Sequence, residues 1–217
     1  MDVFESRRRN MVDTQVRPSD VTKFPIIEAM LHVPRERFVP DARQEAAYVG
    51  ENLHLTADRV ILEPRTLAKM LNDLNPQPDH VVLHVGAGLG YGTAILARLA
   101  DAVVAVEEEA DLAKTAEETL LSINADNVAV IEAPLTEGAP KHGPYDVMII
   151  EGAVEIVPEQ LLDQVKDGGR IAALFAEDSL GVVKIGHKID GGVDWRFAFN
   201  AGAPALPGFS APRAFAL

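Results

Sequence analysis

The 217-residue sequence contains no cysteine. That one absence excludes disulfide bonds, thiolate metal sites and a cysteine nucleophile. Long apolar runs are missing too: no window approaches the about 18 residues that mark a membrane-spanning helix. The opening MDVFESRRRN has no apolar signal-sequence core, so no membrane association and a cytoplasmic location are expected. Positive charge is scarce, with 20 Lys and Arg against 33 Asp and Glu and a formal net charge of −13. That balance disfavours binding to phosphate backbones, and no nucleic-acid partner is expected. The one basic run, Arg7-Arg8-Arg9, reads as a solvated helix face. The histidines, His32, His54, His80, His84, His142 and His187, show no HExxH or other ligand spacing, so no metal is expected. There is no GxSxG elbow either; Ser210 in GFSAP lacks the strand and helix such a nucleophile needs. Tyr91, Tyr145 and Trp195 read as packing residues.

What is present is ordinary globular composition, 47% hydrophobic and 24% charged. The length suits one α/β domain with one core. We expect a single domain over 1–217, with a helical N-terminal elaboration over 1–75 and an α/β core over 76–217. Residues 3–15 look helical. Asp20 is placed to cap a second helix reaching Met30, with Val21, Phe24, Ile27 and Met30 on its inward face. The two prolines of VPRERFVP end it. A short helix near Ala46 and extended chain through LHLTADRVIL follow, and Pro64 opens a helix with Leu67, Met70, Leu71 and Leu74 inward. Beyond residue 75 strand-like runs at 80–85, 102–107, 127–132, 145–152 and 168–176 alternate with helical segments at 91–100, 109–123 and 158–166. Near-continuous apolar strands between amphipathic helices indicate a parallel sheet covered on both faces. LGVVKIGHKI and DWRFAFN, joined by Asp190-Gly191-Gly192, read as an antiparallel hairpin at the sheet edge. Glycine and proline punctuate the ending APALPGFSAP.

The stretch VVLHVGAGLGYGTAILARL, 81–99, carries the chemistry. Gly86, Gly88 and Gly90 form GxGxG between a strand and a helix, where the backbone can turn sharply and approach a ligand. About twenty residues further on, Glu107 ends the next strand, where a carboxylate accepts hydrogen bonds from a ribose diol. The dinucleotide pattern GxGxxG would need glycine at position 91, which is Tyr91. A nicotinamide cofactor is therefore disfavoured. GxGxG with an acid ending the second strand is the pattern of S-adenosylmethionine methyltransferases. Glu108 and Glu109 are assigned to the dipole of the following helix.

The runs MVDTQVRP, IIEAMLHVPRERFVP, AYVGENL, VLHVGAGLGYGTAILA, PYDVMIIEGA and VPEQLLDQVKDGGRI occur in order over roughly 10–176. Together they resemble the protein-L-isoaspartate O-methyltransferase family. The resemblance implies a Rossmann-like S-adenosylmethionine methyltransferase fold; with the patterning above, the expectation is a mostly parallel sheet, an antiparallel C-terminal hairpin and a helical N-terminal extension, the hairpin and the ending APALPGFSAPRAFAL matching the family's usual tail poorly. It implies S-adenosyl-L-methionine as cofactor and transfer of its methyl to the side-chain or α-carboxylate of an isomerised aspartyl residue in a damaged protein or peptide. The cofactor positions it implies are Gly86, Ala87, Gly88, Gly90, Tyr91, Glu107 and Leu135. Three places depart from the family pattern. Its Gln-Thr-x-Ser-x-Pro stretch, with the serine by the acceptor, falls on Arg59–Pro64, so that Leu62 holds the serine position. Its Gly-Asp-Gly falls on Ala133-Pro134-Leu135, and the acid before the glycine loop is His84.

An ionised carboxylate attacking an electrophilic sulfonium methyl needs alignment more than a general base. Catalytic residues are accordingly left unassigned. Arg59 and Arg65 are the candidates to bind the acceptor carboxylate, with Glu63 beside them repelling it unless an arginine pairs with it. An exposed Arg/Glu cluster without ligand is the competing assignment. At the level of function, the alternative to the carboxyl methyltransferase is a methyltransferase-like binding module with an altered acceptor or no turnover. A carboxylate at position 84 would favour the cationic methionine end of the cofactor, so His84→Asp is expected to tighten its binding.

Overall fold

The computed structural model describes residues 2–177 and 180–212. Its N-terminal part runs α1 (Val3–Met11), α2 (Phe24–His32), a small antiparallel hairpin of β1 (Leu53–His54) with β2 (Val60–Ile61), and α3 (Pro64–Leu74). The rest alternates β3 (Val81–Val85), α4 (Tyr91–Ala97), β4 (Ala102–Glu107), α5 (Ala110–Ser122), β5 (Val128–Glu132), β6 (Tyr145–Val154), α6 (Glu159–Leu162) and β7 (Val165–Glu177). It closes with β8 (Leu180–Ile189) and β9 (Gly192–Asn200).

Among the described residues β3–β9 make a seven-stranded sheet in the order β5-β4-β3-β6-β7-β8-β9. The first five positions pair in parallel, and β8 and β9 are antiparallel. This is the fold the resemblance implies. Strand order reverses between β3 and β6, and ligands of open α/β sheets bind in the crevice that such a reversal opens at the carboxyl ends of the strands.

Side chains alternate across β3. Val82 belongs to the apolar cluster that also holds α1–α4, whereas Leu83 and Val85 face the cluster under α6. A sheet apolar on both faces needs cover on both, and the N-terminal 75 residues supply it on one side. Leu67, Met70, Leu71 and Leu74 of α3 are fully buried as their spacing predicts. Asn75, left-handed at φ 53°, ends that helix.

Boundaries differ from expectation where local chemistry competes with periodicity. The first helix stops at Met11 and loosens into a π-turn at Val12–Val16 and a 3₁₀ turn at Arg17–Ser19. Asp20 takes a left-handed conformation there and ends this run instead of capping the next helix. α2 starts at Phe24, with Pro25 in its first turn where a missing N–H is harmless. That start turns Phe24 outward, 67% exposed, and puts Ile26 inside with Ile27 and Met30. The segment expected to be helical over 158–166 is a single turn, because Val165 already pairs with Tyr145 as the first residue of β7.

The tail after β9 does more than turn. Leu206 N–H donates to the Ala153 carbonyl at 2.8 Å and Ala153 N–H to the Pro204 carbonyl at 2.9 Å. Glu155 and Ile156 N–H groups both donate to the Phe209 carbonyl. The tail is thereby fastened along the end of β6, with Leu206 and Phe209 buried.

Candidate cofactor and acceptor site

The glycine loop sits at the carboxyl end of β3. Gly86, Gly88 and Gly90 have φ of 79°, 55° and 91°, the left-handed region that a Cβ makes costly. Gly86 and Ala87 N–H groups donate to the Val106 carbonyl at 3.0 and 3.2 Å, and Gly90 N–H to the Ala87 carbonyl at 2.9 Å. Gly88 N–H donates to Glu107 Oε2 at 2.8 Å. The loop and the acid at the end of β4 thus form one unit.

Glu107 is fully buried. Its Oε1 accepts the Glu108 and Glu109 N–H groups at 2.9 and 3.1 Å. Arg59 Nε reaches the same carboxylate at 3.1 Å, while Arg59 Nη2 donates to Glu108 Oε1 at 2.8 Å. Burial acts to lower the Arg59 pKa, but the charge of Glu107 and the hydrogen bonds to both glutamates outweigh it and raise it. Glu108 therefore anchors Arg59, and its other oxygen accepts Leu135 N–H at 3.4 Å. Glu109 precedes the first turn of α5 without a side-chain cap and receives the Thr56 hydroxyl.

Beneath the loop lies a buried polar chain. His84 Nδ1 is 2.9 Å from Thr93 Oγ1, and His84 Nε2 is 3.0 Å from Glu151 Oε2. Glu151 Oε1 accepts Leu62 N–H at 3.4 Å. The Leu62 carbonyl accepts from Arg35 Nη2 at 2.9 Å, and Arg35 Nε donates to the Ala47 carbonyl at 2.7 Å. The Arg35 guanidinium lies 4.5 Å from the centre of the Tyr91 ring, and burial lowers its pKa. Arg35 Nη1 and the Tyr91 hydroxyl find no hydrogen-bond partner among the described residues.

The predicted acceptor residues separate. Leu62 is fully buried and offers only backbone groups. Arg59 is committed to Glu107 and Glu108, 1% exposed, and so does not stand free as an anion-binding side chain. Arg65 is half-exposed and lies 3.7 Å from Glu63, so an arginine does pair with that glutamate. Tyr91 packs edge-on against Phe38. His84, which the sequence presents as a missing acid, is instead one end of a buried hydrogen bond whose other end is Glu151. That partner was not anticipated, although its signal was present: Glu151 follows the apolar run YDVMII as Glu107 follows AVVAV.

The profile of the family described as protein-L-isoaspartate(D-aspartate) O-methyltransferase matches residues 6–193. The chain belongs to this family. A protein-L-isoaspartate O-methyltransferase of Methanoregula boonei is 38% identical over 164 residues, 76% of each chain. One of Herpetosiphon aurantiacus is 36% identical over 79% of this chain and 77% of its own. Among solved structures, a protein-L-isoaspartate O-methyltransferase superposes with a TM-score of 0.81 at 22% identity, covering 93% of this chain and 66% of that one. A putative family enzyme of Plasmodium falciparum, solved in complex with S-adenosyl-L-homocysteine, gives a TM-score of 0.79 at 19% identity and covers 95% and 99%. These two likenesses concern the fold.

Isoaspartyl methyltransferases are S-adenosylmethionine enzymes, and this member has the corresponding parts: a glycine loop, an acid ending the next strand, and a hydrogen bond joining them. Their arrangement is closed. A carboxylate offers about four acceptor sites, and Glu107 already receives Gly88, Glu108, Glu109 and Arg59. The donor set suits an adenosyl ligand in kind, while a ribose diol can reach Glu107 only by replacing one of these donors.

Proposed function

We propose that this isoaspartyl methyltransferase family member acts as a carboxyl O-methyltransferase on isomerised aspartyl residues of damaged proteins or peptides, with S-adenosyl-L-methionine as methyl donor. The observation that carries the reading is the 2.8 Å hydrogen bond from Gly88 N–H to Glu107, which sets loop and acid in the register an adenosyl ligand needs. Gly86, Ala87, Gly88, Gly90 and Glu107 would hold the ligand, with Tyr91 and Leu135 packed behind it. When bound, the cofactor supplies an electrophilic sulfonium methyl. The protein's own work is alignment and exclusion of water, because an acceptor carboxylate is ionised near neutral pH without a base. Arg65 is the acceptor candidate whose cation is accessible, and Glu63 restrains it.

The first 75 residues and the sheet are proposed to work as one unit, since α1–α3 share an apolar cluster with β3 and β6. Among the described residues no helix is long and apolar enough to cross a membrane. A cytoplasmic place of action without nucleic-acid partners belongs to the same proposal and rests on the acidic composition. Incubating the protein with radiolabelled S-adenosylmethionine and an isoaspartyl peptide tests it: methyl ester should form on that peptide and not on its normal aspartyl counterpart. Equal or no labelling of both would refute the acceptor.

A second reading, a methyltransferase-like binding module, is favoured by Leu62, which brings no hydroxyl to the acceptor side. Labelling of neither peptide, with retained binding of S-adenosylhomocysteine, would select it.

A further inference from the structure

We propose that Arg59 sets the cofactor affinity of this chain by standing in for the ribose on Glu107. The proposal rests on the cofactor reading above. Arg59 ends a tight turn: Leu55 and Thr56 N–H groups both donate to its carbonyl, at 2.8 and 3.3 Å. The turn hangs from the β1–β2 hairpin directly over the glycine loop. Leu55 Cδ1 would lie 3.1 Å from a Cβ on Gly88, so the leucine occupies the side of the loop that the glycine leaves free. From the same turn Arg59 reaches Glu107 and Glu108, and Thr56 reaches Glu109. Thus one short segment, 55–59, covers the loop and engages three consecutive carboxylates.

The chemistry of the two competing donors differs. On the Glu107 carboxylate both would make charge-assisted hydrogen bonds, but a ribose diol brings neutral hydroxyls, whereas Arg59 adds an opposite full charge on a planar, forked donor. The pair is also desolvated, Arg59 being 1% and Glu107 0% exposed. Diol hydrogen bonds alone do not displace such a donor. Cofactor entry therefore requires the 55–59 turn to swing off Glu107, and the apparent affinity falls by the fraction of molecules in which it is closed. Glu108, 27% exposed, is the outer anchor that holds Arg59 in place.

Calorimetric titration with S-adenosylhomocysteine tests this on three full-length proteins: unchanged, Arg59→Gln and Glu108→Gln. Arg59→Gln should tighten binding by about tenfold or more and Glu108→Gln by about threefold, the order in which they loosen the closed state. Both should lower the melting temperature of the free protein, so that affinity and stability move in opposite directions. If Arg59 were only a structural cation, its loss would weaken both. Glu108→Gln keeps the test decisive should Arg59→Gln fail to fold. Measurable affinity that neither variant improves overturns the role of Arg59 and leaves the cofactor reading standing. Absence of binding in all three overturns the cofactor reading, and this proposal with it.

Discussion

His84 Nε2 and Glu151 Oε2 lie 3.0 Å apart across the boundary between β3 and β6, the place where strand order reverses. Both side chains are buried, and the crevice where α/β proteins bind ligands is lined at its base by this pair. The carboxylate that the sequence lacks at position 84 is present one strand away.

The pair attaches a stability cost to one expectation. Considered alone, His84→Asp should favour a cationic ligand. Opposite Glu151 it sets two buried carboxylates against each other and removes the Thr93 partner. Removing a buried hydrogen-bond partner costs about 1–3 kcal/mol, so the variant should show a clearly lower urea midpoint. Adding Glu151→His restores opposite character and should recover much of the loss. A His84→Asp protein as stable as the parent would contradict the pairing.

Gly92 is the third member of this arrangement. A Cβ there would stand 2.9 Å from His84 Cε1 and closer still to Glu151 Oε2. Gly92 sits in α4, where alanine is otherwise preferred by about 1 kcal/mol. Gly92→Ala should nevertheless destabilise, by about 1–3 kcal/mol. In a Glu151→Ala background, where only the His84 ring remains in the way and is free to shift, the same change should cost clearly less. A double-mutant cycle by chemical denaturation measures the difference, and additivity would disprove the contact.

Leu206 ties the tail to the crevice. Its side chain would meet a Cβ on Gly152 at 2.5 Å and one on Gly86 at 3.6 Å. Leu206→Ala leaves a hole against both glycines and should reduce stability by about 2–4 kcal/mol. Amide exchange at Ala153, Glu155 and Ile156, whose N–H groups depend on the tail, should quicken before that of β3. Unchanged exchange at these three amides would show that the tail is not held as described.

Asp146 supplies a pH dependence far from the loop. Its Oδ2 accepts Val81 N–H at 2.8 Å and its Oδ1 lies 2.6 Å from Lys166 Nζ. Burial acts to raise its pKa, but Lys166 and the Val81 amide outweigh that and leave it lowered. A carboxylate lowered in the folded state contributes stability above its unfolded pKa, about 4, and that stability is lost as pH falls through the folded value. Asp146→Asn should therefore flatten the decline of stability below about pH 4. Parallel urea-midpoint profiles for parent and variant between pH 3 and 6 would rule this out.

The sequence displayed the sheet because periodicity carries it: the buried strands AVVAV and, but for His84, VVLHV are apolar, and α3 repeats its apolar residues at helical spacing. It displayed the loop and Glu107 because glycine spacing and an acid at a strand end are local signals. It hid what depends on distant contact. Arg59 meets Glu107 across 48 residues and His84 meets Glu151 across 67, and nothing near Arg59 distinguishes a buried clamp from a solvated arginine. The helix start at Phe24 was hidden differently, since Asp20 is a good cap by type and only its left-handed backbone removes it from that role.

Gly92 also bears on how this fold can be recombined with its relatives. The space it leaves belongs to a side chain from another strand, so β3 and α4 do not form a self-contained cassette. A chimera that imports residues 81–97 from a homologue keeps Glu151 on β6 opposite whatever residues then stand at positions 84, 92 and 93. The transferable unit is discontinuous: positions 84, 92 and 93 travel with position 151, or the transplant meets a misplaced carboxylate inside the protein.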